Sequence, residues 1–178
     1  AVSGALFPSI QVPGLAQCAA DFSGGQSTAG GDGEVPTDLE GVFAALQEAQ
    51  GLYGDAQQWL AQQDPEQKDP ELQHIKGVAE VMSANARRLA GESAIYGLAA
   101  PDLDAAGQVA LLDQAKRDLD EAIADYQAVA ARFAQMERYS VQAYALHGLG
   151  LAQKARAALD LDYLDAPAQA TTLFKQAA

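Results

Sequence analysis

The stretch Leu112-Asp113-Gln114-Ala115-Lys116-Arg117-Asp118-Leu119-Asp120-Glu121-Ala122-Ile123-Ala124-Asp125-Tyr126-Gln127-Ala128-Val129-Ala130-Ala131-Arg132-Phe133 spaces its apolar side chains at steps of three and four. Leu112, Ala115, Leu119, Ala122, Ile123, Tyr126, Val129, Ala130 and Phe133 fall on one side of an α-helix. Asp113, Lys116, Arg117, Asp120, Glu121 and Asp125 fall on the other. That alternation predicts an amphipathic helix from about Leu103 to Phe133.

The same reading extends in both directions. A fourth helix follows Ser140, with Val141, Tyr144, Ala145, Gly148, Leu149, Ala152 and Ala155 inward. A fifth starts near Asp165-Ala166-Pro167 and carries Ala170, Leu173, Phe174 and Ala177. Gly148-Leu149-Gly150 sits inside the fourth helix and reads as close helix packing, not as a phosphate cradle. Leu159 to Asp165 reads as an elongated turn, and Asp102, Asp104, Asp160 and Asp162 as turn and cap residues. No stop signal follows Ala177, which predicts that the chain continues.

Upstream, Thr37-Asp38-Leu39-Glu40 is a capping box. Leu39, Val42, Phe43, Leu46, Tyr53, Ala56 and Leu60 give the first helix its apolar face, with Trp59 beside it and Gln63-Asp64-Pro65 as its end. Asp69-Pro70 opens the second helix, because Asp caps well and proline at the first position loses no hydrogen bond. Leu72, Ile75, Val78, Val81, Met82, Ala86 and Leu89 supply its stripe, and Gly91 is its expected stop.

Residues 1–36 differ from the rest. Pro8 and Pro13 interrupt an apolar run, and five glycines fall between Gly24 and Gly33. They predict a non-helical arm that extends away from the core or along a partner. The domain plan is therefore an arm over 1–36 and a helical domain over 37–178, divided into 37–101 and 102–178.

Composition supports helix and narrows function. About a fifth of the 178 residues are Ala, a strong helix former. No Lys or Arg precedes Lys68, so the chain carries a net −9 up to Gln67 and −13 overall. Acidity of this degree keeps an Ala-rich protein soluble and disfavours nucleic acid. No apolar run is long enough to span a membrane. Cys18 is the single cysteine, and His74 and His147 stand 73 residues apart, which predicts no disulfide and no metal. Leu15-Ala16-Gln17-Cys18 is similar to a lipoprotein processing site and would make Cys18 a lipid attachment point. Gln17 stands where a small residue is expected, and the ordinary reading is a lone thiol on a loop. The initial Ala1 fits either removal of a signal peptide or a trimmed terminus.

Two segments share a sub-pattern. Ala122-x-x-x-Tyr126-x-x-Val129 is followed 48 residues later by Ala170-x-x-x-Phe174-x-x-Ala177. Small-x-x-x-aromatic-x-x-small resembles the second helix of a tetratricopeptide repeat. Leu146-x-x-Leu149-Gly150 is similar to that repeat's first helix. The resemblance covers about residues 105–178 and extends to degenerate repeats of bacterial envelope proteins. It departs in period, because the family repeats every 34 or so residues.

The resemblance implies antiparallel helical hairpins in a short right-handed solenoid; a four- or five-helix bundle is the alternative. It implies a non-enzymatic protein–protein scaffold or adaptor in a larger bacterial envelope assembly, placed in the periplasm or envelope. A structural assembly subunit and a small-molecule-binding bundle are the rival functions, and the cytoplasm the alternative location. No cofactor, metal or catalytic set is expected. Arg87, Arg88, Arg132, Arg138, Tyr144 and His147 are the candidate contacts to a partner protein or neighbouring subunit, the arginines as hooks for its carboxylates. The two aromatics, Tyr126 and Phe174, are expected to occupy equivalent buried places in successive hairpins.

Overall fold

The computed structural model describes residues 39–101 and 103–177. All regular structure among them is helical: α1 Leu39–Gln63, α2 Pro70–Gly97, α3 Ala105–Gln135, α4 Tyr139–Asp162 and α5 Pro167–Ala177. The arm over 1–36, Cys18 and the Thr37 cap lie outside the described residues.

Local chemistry sets the helix starts. The Asp69 carboxylate accepts from the backbone N–H of Glu71 at 2.8 Å and of Leu72 at 3.2 Å, with Pro70 just inside the helix. Asp104 caps α3 by accepting from Gly107 N at 2.7 Å. The α1–α2 turn is tied by buried Asp64, which accepts from Lys68 N at 2.9 Å, Asp69 N at 2.9 Å and Gln73 Nε2 at 3.1 Å. Burial alone would raise the Asp64 pKa. These donors, with Gln67, outweigh it and hold the carboxyl below its ordinary value.

Three sequence expectations are corrected. Gly91 does not stop the second helix, which runs on to Gly97. It lies buried under α3, where a Cβ would stand 2.7 Å from Leu119 Cγ, so close approach and not termination explains the glycine. Leu159 to Asp165 is not an elongated turn either. The α4 helix continues through Asp162, because Leu159 is core and Asp160 is buried in an ion pair with Arg156 one turn earlier. Tyr144 is not inward but 52 % exposed.

Successive helices are antiparallel. Along α2 and α3, Gly97 meets Leu111, Gly91 meets Leu119, Asn85 meets Tyr126 and Gly77 meets Phe133. Along α3 and α4, Phe133 and Tyr126 pack with Val141 and Ala145, while Leu119 packs with Leu159. Alanines carry much of the contact: Ala79, Ala84, Ala86, Ala90 and Ala94 of α2 are all buried. Small side chains let the axes approach closely, so a few large residues suffice to fill the core.

The order of packing is open. Each helix packs on its neighbours in the chain, and α2 also packs on α4. Apart from one marginal touch elsewhere, α1 meets only α2 and α5 meets only α4. Tyr126 sits at the junction of α2, α3 and α4. Its hydroxyl donates to Asn85 Oδ1 at 2.5 Å, and burial pushes its phenol up to about 12, with Arg88 acting against the shift. Phe174 does not occupy an equivalent place. It is 40 % exposed, because α5 has α4 on one side only whereas Tyr126 is covered by two helices.

Candidate functional site: a charged groove on three helices

Glu80, Ser83 and Arg87 recur along one side of α2, and Asp125, Ala128, Val129 and Arg132 along one side of α3. Antiparallel packing brings the two stripes together, and Gln57 of α1 closes the opposite wall. They line an open groove of about 300 Å³. The floor is α2, and α1 and α3 are the walls.

Ion pairs run along the α2–α3 seam. Arg132 grips Glu80 with two nitrogens, one of them 3.1 Å from Glu80 Oε1. Arg87 pairs with Asp125 and places its Nε 3.4 Å from Glu121 Oε2. Each helix reads acid then arginine seven residues later, Glu80 to Arg87 and Asp125 to Arg132. In antiparallel register the repeats are complementary; in parallel register acid would face acid. The Arg132 guanidinium also lies over the Phe133 ring, 4.9 Å from its centroid. Burial raises the Asp125 pKa above its ordinary value. Arg87 opposes that shift, and Glu121 and Glu80 add to it.

The groove is amphipathic. A guanidinium has five N–H donors, and Arg132 keeps a buried Nε with no acceptor. Ala128 and Val129 add apolar surface beside the two arginines in the groove lining.

Of the six candidate contact residues, the structure brings two into this groove, Arg87 and Arg132. Arg88 pairs with Glu92 and sits by Tyr126. Arg138 is exposed at the start of α4. It lowers the pKa of His74, whose partial burial acts first in the same direction. Tyr144 and His147 are exposed on α4 and do not line the groove. Sequence reasoning missed Glu80, Asp125, Ser83, Ala128 and Gln57. The repeated acid-to-arginine spacing is the signal that could have found the first two.

A second polar cluster was also missed. Arg156 and Asp160, both almost wholly buried, pair across one turn of α4, and Arg156 Nε is 2.9 Å from Asp120 Oδ1 on α3. It joins α3 to α4 and is not part of the lining of the α1–α2–α3 groove. Among the described residues no group of three or more His, Cys, Asp or Glu side chains is arranged to hold a metal ion. Among them, too, no helix is long and apolar enough to cross a membrane.

No protein-family model, curated protein or solved structure matches the chain. The functional reading therefore rests on geometry and on the residues themselves.

Proposed function

We propose that this protein is a non-enzymatic protein–protein interaction scaffold, a short tetratricopeptide-like array of helical hairpins that holds a partner segment in the α1–α2–α3 groove. The observation that carries the reading is the open order of packing. A closed bundle would bring its first and fourth helices together around one core, whereas here α1 packs mainly on α2 and α5 mainly on α4. An open array buries less of each helix and leaves long grooves between neighbours. The contact of α2 with α4 across α3 supports counting α2–α3 and α4–α5 as successive hairpins.

The resemblance of residues 105–178 to envelope repeats supports placing the scaffold in a bacterial envelope assembly. The partner chemistry is an extended or helical segment with at least one carboxylate or exposed carbonyl for Arg87 or Arg132.

The test uses the full chain as bait against envelope extract, beside an Ala128→Arg variant. Ala128 is exposed on the groove wall, so the long side chain fills the groove without touching the core. The scaffold reading expects a defined set of proteins retained by the wild type and lost with Ala128→Arg at unchanged helicity. Retention indifferent to the substitution would overturn it.

A further inference from the structure

The side of α2 opposite the groove is apolar. On α1, Gln57 lines the groove, and Leu52 and Trp59 lie about 140° and 160° around the helix from it at about 100° per residue. They are 43 % and 41 % exposed. On α2, Met82 and Leu89 are half-buried and lie about 100° and 120° around from Ser83 of the groove lining. On α4, Tyr144 and Leu151 each precede a core alanine, Ala145 and Ala152, that packs with Val81 and Ala84 of α2. They lie on the side of α4 away from Arg156, which reaches α3, and Leu151 is 37 % exposed.

Helix register brings the six side chains to one trough. The Tyr126 ring lies against Gly148 and its hydroxyl bonds to Asn85, so these two positions are level on the parallel helices α2 and α4. Met82 and Leu89 bracket Asn85 as Tyr144 and Leu151 bracket Gly148. Leu60 of α1 packs with Ile75 of α2. Counting back along that antiparallel pair sets Leu52 level with Ser83, beside Met82.

We infer that this trough on α1, α2 and α4 docks an amphipathic helix of a partner protein that carries Lys or Arg along its edge facing α1. Shape favours a helix. Both α1 and α4 pack on α2, they meet each other at most marginally, and a fourth axis fits between them at the usual spacing of about 8–10 Å. Exposed apolar side chains inside a charged rim mark interaction sites. Charge selects the occupant. The exposed charges beside Leu52 and Trp59 are Glu48 and Asp55, and α1 contains no Lys or Arg. Glu71 adds an acid at the start of α2. The α4 edge is mixed: His147 and Lys154 lie outside Tyr144 and Leu151, Asp162 follows at one end, and Arg138 stands beside exposed Glu137 at the other. Attraction is therefore concentrated on the α1 edge. Residues 1–67 contain no Lys or Arg, and two copies each carry a net −13, so neither this chain's first residues nor a second copy matches that edge as a basic helix does. The site goes beyond the groove, because it lies on the other side of α2 and takes a partner of different charge.

The experiment titrates the full chain with two synthetic amphipathic helices, both with leucines at steps of three and four, one carrying Lys and the other Glu. Trp59, the single tryptophan, reports binding through its emission. The expected result is a saturable one-to-one blue shift with the Lys peptide and at least about tenfold weaker binding of the Glu peptide. Leu52→Asn with Leu151→Asn, both on the surface, should weaken the Lys peptide at least about tenfold at unchanged helicity. Glu48→Lys with Asp55→Lys should reverse the preference. Ala128→Arg should leave it intact, which separates failure of this site from failure of the groove. No binding of either peptide, equal binding of both, or a preference untouched by the leucine or the charge variants would overturn the inference. So would a red shift of Trp59 on Phe7→Asp in the chain alone, which gives the trough to the chain's own first residues. A dimer by sedimentation that Leu52→Asn with Leu151→Asn dissociates gives it to a second copy, with the same consequence.

Discussion

The ring of Tyr126 occupies the space where a side chain on Gly148 would begin: Tyr126 Cε1 lies 2.3 Å from an ideal Cβ at that position. This contact locks α3 to α4, and the Tyr126 hydroxyl ties the same ring to Asn85 on α2. Replacing Gly148 with Ala gains about 1 kcal/mol of helix propensity. It also drives a methyl into a ring held on both sides, an overpacking cost of about 1–3 kcal/mol or more. The expected outcome is a net loss in urea unfolding, largely relieved by adding Tyr126→Leu. A Gly148→Ala variant more stable than wild type would show that the helices separate freely there.

Exchanging the partners in the groove tests the antiparallel charge register. Glu80→Arg puts two guanidinium groups together, and Arg132→Glu puts two carboxylates together. Each should cost about 1–2 kcal/mol, and the double exchange should recover at least half of the combined loss. A strictly additive double variant would mean that the pair contributes no coupling.

Much of this fold was legible in the sequence, and the misses share a cause. Leu119, Tyr126 and Phe133 lie on a helical stripe that no local signal contradicts, and Asp69-Pro70 announces its own helix start. Gly91 misled because a glycine that admits a neighbouring helix looks the same as one that ends a helix. The α3–α4 turn is only Met136 to Arg138, and Glu137, not glycine, takes the left-handed conformation there, with φ 54°. Nothing local marks such a turn. Asp160 looked like a turn residue because its partner, Arg156, is buried by tertiary packing that spacing does not reveal. The groove is half legible in the sequence: charge singles out Arg87 and Arg132, but which face they share depends on helix register.

The buried pair of Arg156 and Asp160 should be sensitive to removal of either side. Asp160→Ala leaves a guanidinium buried with only the half-exposed Asp120 to meet it. The expected loss is about 3 kcal/mol or more by chemical denaturation. Replacing both residues together with Leu should cost less than Asp160→Ala alone.

Asp64 and Asp125 should respond to acid in opposite directions. The Asp64 pKa is lowered in the fold, so its contribution is present above the unfolded value, about 3.9, and is lost as pH falls through the folded one. The deficit of Asp64→Ala against wild type should therefore be largest near neutrality and shrink in acid. The Asp125 pKa is raised, so its contribution is present below the unfolded value and is lost as pH rises through the folded one. Asp125→Asn should gain on the wild type over that rise. Urea midpoints across the acid range check both signs.

The measurement that bears most directly on the scaffold reading is photo-crosslinking inside cells that make the protein. A photoreactive residue at Ser83 faces the groove, and one at the exposed Lys116 on α3 lies outside the groove lining. The account predicts a discrete adduct with another protein from position 83, absent from position 116 and abolished by Ala128→Arg. The same adducts from both positions, or none from position 83, would contradict it.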